Sequence, residues 1–100
     1  MSFCEHIKEL REKRGLLQRQ LAASLEIDTP MFSKIERGER KAKRQQVLKL
    51  AELLQTDVNE LLTFWLGDQV YEIIKDEEIA SGALKVAESS LQYLKIEKHV

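Results

Sequence analysis

LQRQLAASLEIDTPMFSKIERG, residues 17 to 38, is the stretch whose reading decides the fold. Leu21, Ala22 and Leu25 recur at the spacing that lines one face of a helix, which predicts a short helix from about Gln18 to Leu25. Glu26, Ile27 and Asp28 then make a turn of three residues. Asp28 suits the N-cap of the next helix, because its carboxylate can accept from a first-turn N–H that has no partner within the helix. Pro30 falls in that first turn, where a missing N–H costs nothing, and Phe32 and Ile35 face inward. Gly38 stops the helix after Arg37, and Glu39 to Lys43 form a basic loop.

Outward from this pair the chain stays helical, with no alternating β-branched run that would make a strand. Upstream, Ser2 and Glu5 form a capping box, Phe3, Ile7 and Leu10 supply the apolar face, and Gly15 ends the first helix. Downstream, Val47, Leu50, Ala51 and Leu54 line a fourth helix over about Arg44 to Leu54. A fifth opens on Asp57-Val-Asn-Glu60 with Val58, Leu61 and Leu62 inward. The composition changes at Gly67-Asp68, and residues 1–66 are read as one domain and 67–100 as a helical extension. In that extension Val70, Tyr71, Ile73 and Ile74 predict a short sixth helix.

A seventh helix is predicted over about Glu77 to Lys98, with Ala80, Leu84, Ala87, Leu91 and Leu94 spaced 4, 3, 4, 3. A second stripe, Ile79, Ala83, Val86 and Tyr93, widens its apolar face enough for two packing partners. Lys95 and Lys98 suit its C-terminal dipole, His99 lies in the fraying tail, and Gly82 suggests close approach of another backbone.

Composition narrows the function. A chain of 100 residues, 43% hydrophobic and 33% charged, holds one core and little else. Its longest strongly apolar stretch, Leu61 to Leu66, falls far short of the ~20 residues of a membrane span. The charged N-terminus does not read as a signal peptide, and the expected location is the cytoplasm. Cys4 is the single cysteine, and Cys4 and His6 at i and i+2 point to different helix faces, so no metal is expected. The chain has no glycine-rich phosphate loop, nucleophile elbow or paired acid and base, so neither an enzyme nor a cofactor is expected. The net charge of −1 hides a polarity: residues 1–49 carry 12 Lys or Arg against 7 Asp or Glu, and residues 50–100 carry 4 against 10. The basic half includes Arg37, Arg40, Lys41, Lys43 and Arg44, a local cluster that reads either as a solvated basic loop or as part of a nucleic-acid-binding face.

Two short helices across a tight turn, followed by a basic loop, have the geometry of a helix-turn-helix, whose second helix lies in the major groove of DNA. Four segments in order, IKELREKRG at 7–15, LQRQLAASLEI at 17–27, SKIERGER at 33–40 and VLKLAELLQTDVNELL at 47–62, resemble the lambda-repressor-like Cro/Xre family. The resemblance implies an all-α chain: a five-helix lambda-repressor-like domain, here with a C-terminal two-helix extension. It implies that Gln18 binds a phosphate. Thr29, Pro30, Ser33 and Lys34 would meet base edges with Met31 nearby, and Arg37, Arg40, Lys41 and Lys43 would lie near phosphates. Lys34 can donate to guanine, Thr29 and Ser33 to several bases, and Pro30 or Met31 can meet a thymine methyl. Arg11 and Glu36 resemble the family's structural ion pair. Leu17 stands where the family usually has a capping Ser, Thr or Asn, which forfeits about 1 kcal/mol.

The function that follows is a sequence-specific transcriptional regulator binding a pseudopalindromic operator on double-stranded DNA as a homodimer. The dimer seam is expected at Ala80, Leu84, Ala87, Leu91 and Leu94, assisted by Trp65. The other reading is a protein-interaction adaptor or antitoxin that uses the helical scaffold and C-terminal helices to bind a protein partner. Restriction-modification, phage and toxin-antitoxin roles all remain open to a chain of this kind.

Overall fold

The computed structural model describes residues 1–98, with side-chain surroundings through residue 96. The expectations for Lys98 and His99 therefore lie outside the described side chains. The elements are α1 (Phe3–Lys13), α2 (Gln18–Ser24), α3 (Thr29–Glu36), α4 (Arg44–Leu53), α5 (Val58–Ile74) and α6 (Ala80–Lys98), with no strand among the described residues. The all-α class holds. The chain divides into two compact units, Met1–Asp68 and Gln69 onward.

The first unit closes around Phe3, Ile7, Leu21, Phe32, Ile35, Val47, Leu50, Leu54, Leu61 and Trp65, with Leu10 and Met31 half-buried against them. These are the apolar positions that helical periodicity brings to one face of each of the five helices, and their burial is the main favourable term for the unit. Local capping sets the helix starts. Ser2 Oγ accepts from the Glu5 N–H at 3.3 Å, and Asp28 Oδ1 accepts from the Met31 N–H at 2.8 Å. Leu17 offers α2 no side-chain acceptor, but Gln20 Oε1 reaches back to accept from the Leu17 N–H at 2.7 Å, which supplies half of a capping box.

Each of α1 to α4 stops on a left-handed residue: Gly15 (φ +64°), Glu26 (φ +59°), Gly38 (φ +78°) and Gln55 (φ +51°). At Gly38 an added Cβ would also stand 3.3 Å from Cys4 Sγ, so both backbone conformation and space call for glycine. Gly38→Ala is expected to destabilise the unit by about 1–2 kcal/mol, measurable by urea unfolding; a smaller loss than ~0.5 kcal/mol would mean the turn relaxes to φ below zero.

Contacts distant in sequence complete the helix ends. Asp68 Oδ2, at the end of the unit, accepts from the Phe3 N–H at 2.8 Å and so caps the start of α1. Arg14 Nε donates to the Leu54 carbonyl at 2.6 Å, and its Nη1 to Gln55 Oε1 at 2.9 Å, closing the C-terminus of α4.

Three expectations are corrected. The predicted fifth and sixth helices are one: α5 runs unbroken through Gly67, where an added Cβ would meet nothing within 4 Å. A single glycine with intact neighbours on both sides lowers helix stability by about 1 kcal/mol without ending the helix. The extension is thus the continuation of α5 plus one separate helix, and α6 starts at Ala80, after a turn that absorbs the acidic run at 76–78. Among the described residues a Cβ added at Gly82 would meet nothing within 4 Å, so no close backbone approach of the expected kind is found there.

Candidate nucleic-acid interface

The turn between α2 and α3 is built by backbone bonds, Glu26 N–H to the Ala23 carbonyl at 3.1 Å and Ile27 N–H to the Ala22 carbonyl at 3.0 Å. The left-handed Glu26 lets the chain reverse within Leu25 to Asp28, and Asp28 then caps α3. Phe32, Ile35 and Glu36 are the buried side of α3. Its open side carries Thr29, Pro30, Lys34 and Arg37, all exposed, with Ser33 half-buried beside them. The structure brings these residues together on one solvent-facing surface. Met31 is turned away, half-buried against the core, because it shares the helix face of Ile35.

The α3 surface is held from beneath by a buried ion pair. Arg11 Nε and Nη2 donate to the two oxygens of Glu36 at 2.9 and 2.8 Å, and Nη1 donates to the Leu16 carbonyl at 2.9 Å. The Glu36 side chain is 2% exposed, and its hydrogen bonds to Arg11 raise the guanidinium pKa further above its ordinary value. Gln18 joins this pair: its Nε2 donates to Glu36 Oε1 at 3.1 Å. Gln18, expected at a phosphate, is here a strut between α2 and α3.

The remaining expected phosphate residues surround the end of α3. Arg37 donates from Nη1 to Ser33 Oγ at 2.9 Å and pairs with Glu39 at 2.7 Å, so its charge is partly offset on the surface. Arg40, Lys41 and Lys43 are exposed on the loop that follows. Lys41 Nζ lies 5.8 Å from the centroid of the Trp65 ring and the Arg44 guanidinium 5.9 Å from it. Trp65 is 9% exposed, and its Nε1 donates to the buried Ala42 carbonyl at 2.8 Å. Trp65, expected to assist a dimer seam, has its indole packed inside the first unit. Arg44 was visible as a member of the basic cluster, but nothing in the sequence ties it to a tryptophan 21 positions on.

The other expected seam residues lie on α6. Leu84, Leu91 and Leu94 are exposed, Ala87 is exposed and Ala80 is half-buried. Among the described residues no group of His, Cys, Asp or Glu could hold a metal, and no helix is long and apolar enough to cross a membrane.

Two short helices about a tight turn, with an open polar face on the second and cations at its end, define a helix-turn-helix protein. The sequence profile of the helix-turn-helix domain family matches residues 3–64, and the chain belongs to that family, which bears out the Xre-like resemblance. A similar protein is the HTH-type transcriptional regulator DdrOP3 of Deinococcus deserti, 34% identical over 71 residues, covering 69% of this chain and 55% of the relative. The chain thus spans about half the length of that curated relative. No solved structure matches the chain.

Proposed function

We propose that this protein is a sequence-specific DNA-binding transcriptional regulator, of repressor or controller type, that grips a pseudopalindromic operator as a homodimer. The observation that carries the reading is the exposed face of α3, where Thr29, Pro30, Ser33 and Lys34 stand together beside the cations of the following loop. Side chains of this kind on a helix of this size fit the major groove, and the loop cations fit phosphates on either side of it. Arg37, Arg40, Lys41 and Lys43 are the phosphate-binding residues of this reading, and Met31 serves only at the edge of the base-reading face. Gln18 gives one amide N–H to Glu36, and the second N–H of the same Nε2 is the donor for a phosphate in this reading. The transcriptional role of the Deinococcus relative supports the same reading. Nothing in it requires a cofactor or an enzymatic step, and its place of work is the cytoplasm, on the nucleoid.

Two recognition helices must sit about one DNA turn, ~34 Å, apart, which takes a surface that joins two copies. The uncovered apolar side of α6, with Val86 68% and Leu91 61% exposed, supports placing that surface there. The same exposed side chains favour the second reading, an adaptor or antitoxin that holds a protein partner.

The test is selection of bound sequences from a random duplex pool at ~150 mM salt, then titration of the best site against scrambled DNA. Enrichment of a two-fold symmetric site supports the operator-binding dimer. Weak, sequence-indifferent binding lost with salt would overturn it in favour of the adaptor. On the selected site, Lys34→Ala is expected to cost about 1–3 kcal/mol and relax preference at one base position. Lys41→Ala is expected to weaken all sequences alike and lower the salt slope by about one. Equal losses on operator and random DNA from both variants would sink this division of roles.

A further inference from the structure

We infer that Trp65 is a positioning residue for DNA binding. It holds the loop between α3 and α4 so that Lys41 and Arg44 stand ready as a pair of phosphate-binding cations, which adds Arg44 to the interface. The inference rests on the DNA-binding reading above.

The loop has one apolar anchor. Ala42, flanked by Arg40, Lys41, Lys43 and Arg44, is 2% exposed, and its carbonyl accepts from Trp65 Nε1 at 2.8 Å. An indole N–H and a carbonyl buried together each need the other, since neither has water to turn to, so the bond fixes the middle of the loop onto α5. The cations on both sides of that point then lie over the same ring, Lys41 at 5.8 Å and Arg44 at 5.9 Å from its centroid. Those distances are within the ~6 Å reach of attraction between a cation and the indole face. Both side chains are exposed at the surface.

This form of restraint suits a phosphate site. A carboxylate partner offsets a cation's charge and occupies its donors, as Glu39 does to Arg37. An aromatic ring leaves the charge in place, and a guanidinium drawn to a ring face keeps its N–H donors for a planar, bidentate bond to phosphate. Long basic side chains on an unrestrained loop lose rotamer freedom when they bind, and holding them over the ring removes part of that loss beforehand. Lys41 and Arg44 therefore differ in kind from Arg37, although all three lie in one stretch of sequence.

The test uses the full chain and a labelled mixed-sequence duplex of about 30 base pairs at ~50 mM salt, where phosphate contacts dominate. Trp65 is the sole tryptophan, so its emission reports on this site alone. Its emission is expected to change along the same isotherm as the anisotropy of the duplex. Lys41→Ala and Arg44→Ala are each expected to weaken binding about three- to tenfold and to lower the slope of log affinity against log salt by about one. Trp65→Phe keeps an apolar ring but removes the N–H; it is expected to weaken binding about as much, and to add little when Lys41 and Arg44 are already alanine. Saturated binding with no change in Trp65 emission overturns the inference, as does a Trp65→Phe loss that adds in full to the double alanine variant. If Trp65→Phe fails to fold, the emission of the parent chain and the two cation variants, which retain the indole, decide the matter. Failure of the parent chain to bind the duplex at all refutes the DNA-binding reading itself.

Discussion

Arg11→Ala is expected to remove about 3–5 kcal/mol of stability and to lower Tm by more than ~12 °C. The Glu36 carboxylate is 2% exposed and holds two guanidinium hydrogen bonds of 2.9 and 2.8 Å. Without Arg11 it keeps only the Gln18 amide at 3.1 Å, and the Leu16 carbonyl loses its donor as well. A buried charge with one weak partner cannot recover its hydration, and the loss is a large part of the roughly 5–15 kcal/mol that holds a domain together. The double variant Arg11→Met, Glu36→Met removes the charge with its partner, and its Tm is expected to return most of the way towards that of the parent chain. Thermal unfolding followed by circular dichroism checks both. An Arg11→Ala shift of only a few degrees would mean that water reaches Glu36 and that the pair contributes little.

The second large effect belongs to the proposed dimer. A chain carrying Val86→Glu and Leu91→Glu is expected to change from dimer to monomer by light scattering and to lose at least about a hundredfold in affinity for a two-fold operator, while half-site binding persists. On α6, Val86 and Tyr93 stand seven residues apart, Ala80, Ala87 and Leu94 recur every seven residues, and Leu84 and Leu91 widen the stripe. At 100° per residue this makes an apolar face about half the circumference of the helix, wider than a single two-stranded seam needs. Glutamate is a good helix former, so the substitutions leave α6 helical in its own right and act on association. An unchanged mass would move the proposed interface away from α6.

The first unit was legible where its determinants are local. Ser2, Asp28, Gly15 and Gly38 act within a few positions of themselves, and of the expected core Phe3, Ile7, Leu21, Phe32, Ile35, Val47 and Leu50 are buried as their periodicity requires, while Leu10 is half-buried at its edge. The Arg11 to Glu36 pair came from the family resemblance, and its bidentate geometry bears that out. Gly67 misled because a glycine's low helix propensity is a weak signal, about 1 kcal/mol, which the residues before and after it outweigh.

What the sequence by itself determined is where the first four helices form, where the α2–α3 turn falls and which side of α3 stays open. Each follows from side chains three or four positions apart and from capping groups beside the ends they cap. Tertiary structure alone decided that Asp68 caps α1, that Arg14 closes α4, that Gln18 braces Glu36 and that Trp65 gathers Ala42, Lys41 and Arg44. These partners stand 18 to 65 positions apart, or meet through an aromatic ring, and no periodicity links them. A buried polar group takes whichever donor or acceptor the packing of other helices brings within about 3 Å, and that choice exists only once the core has closed.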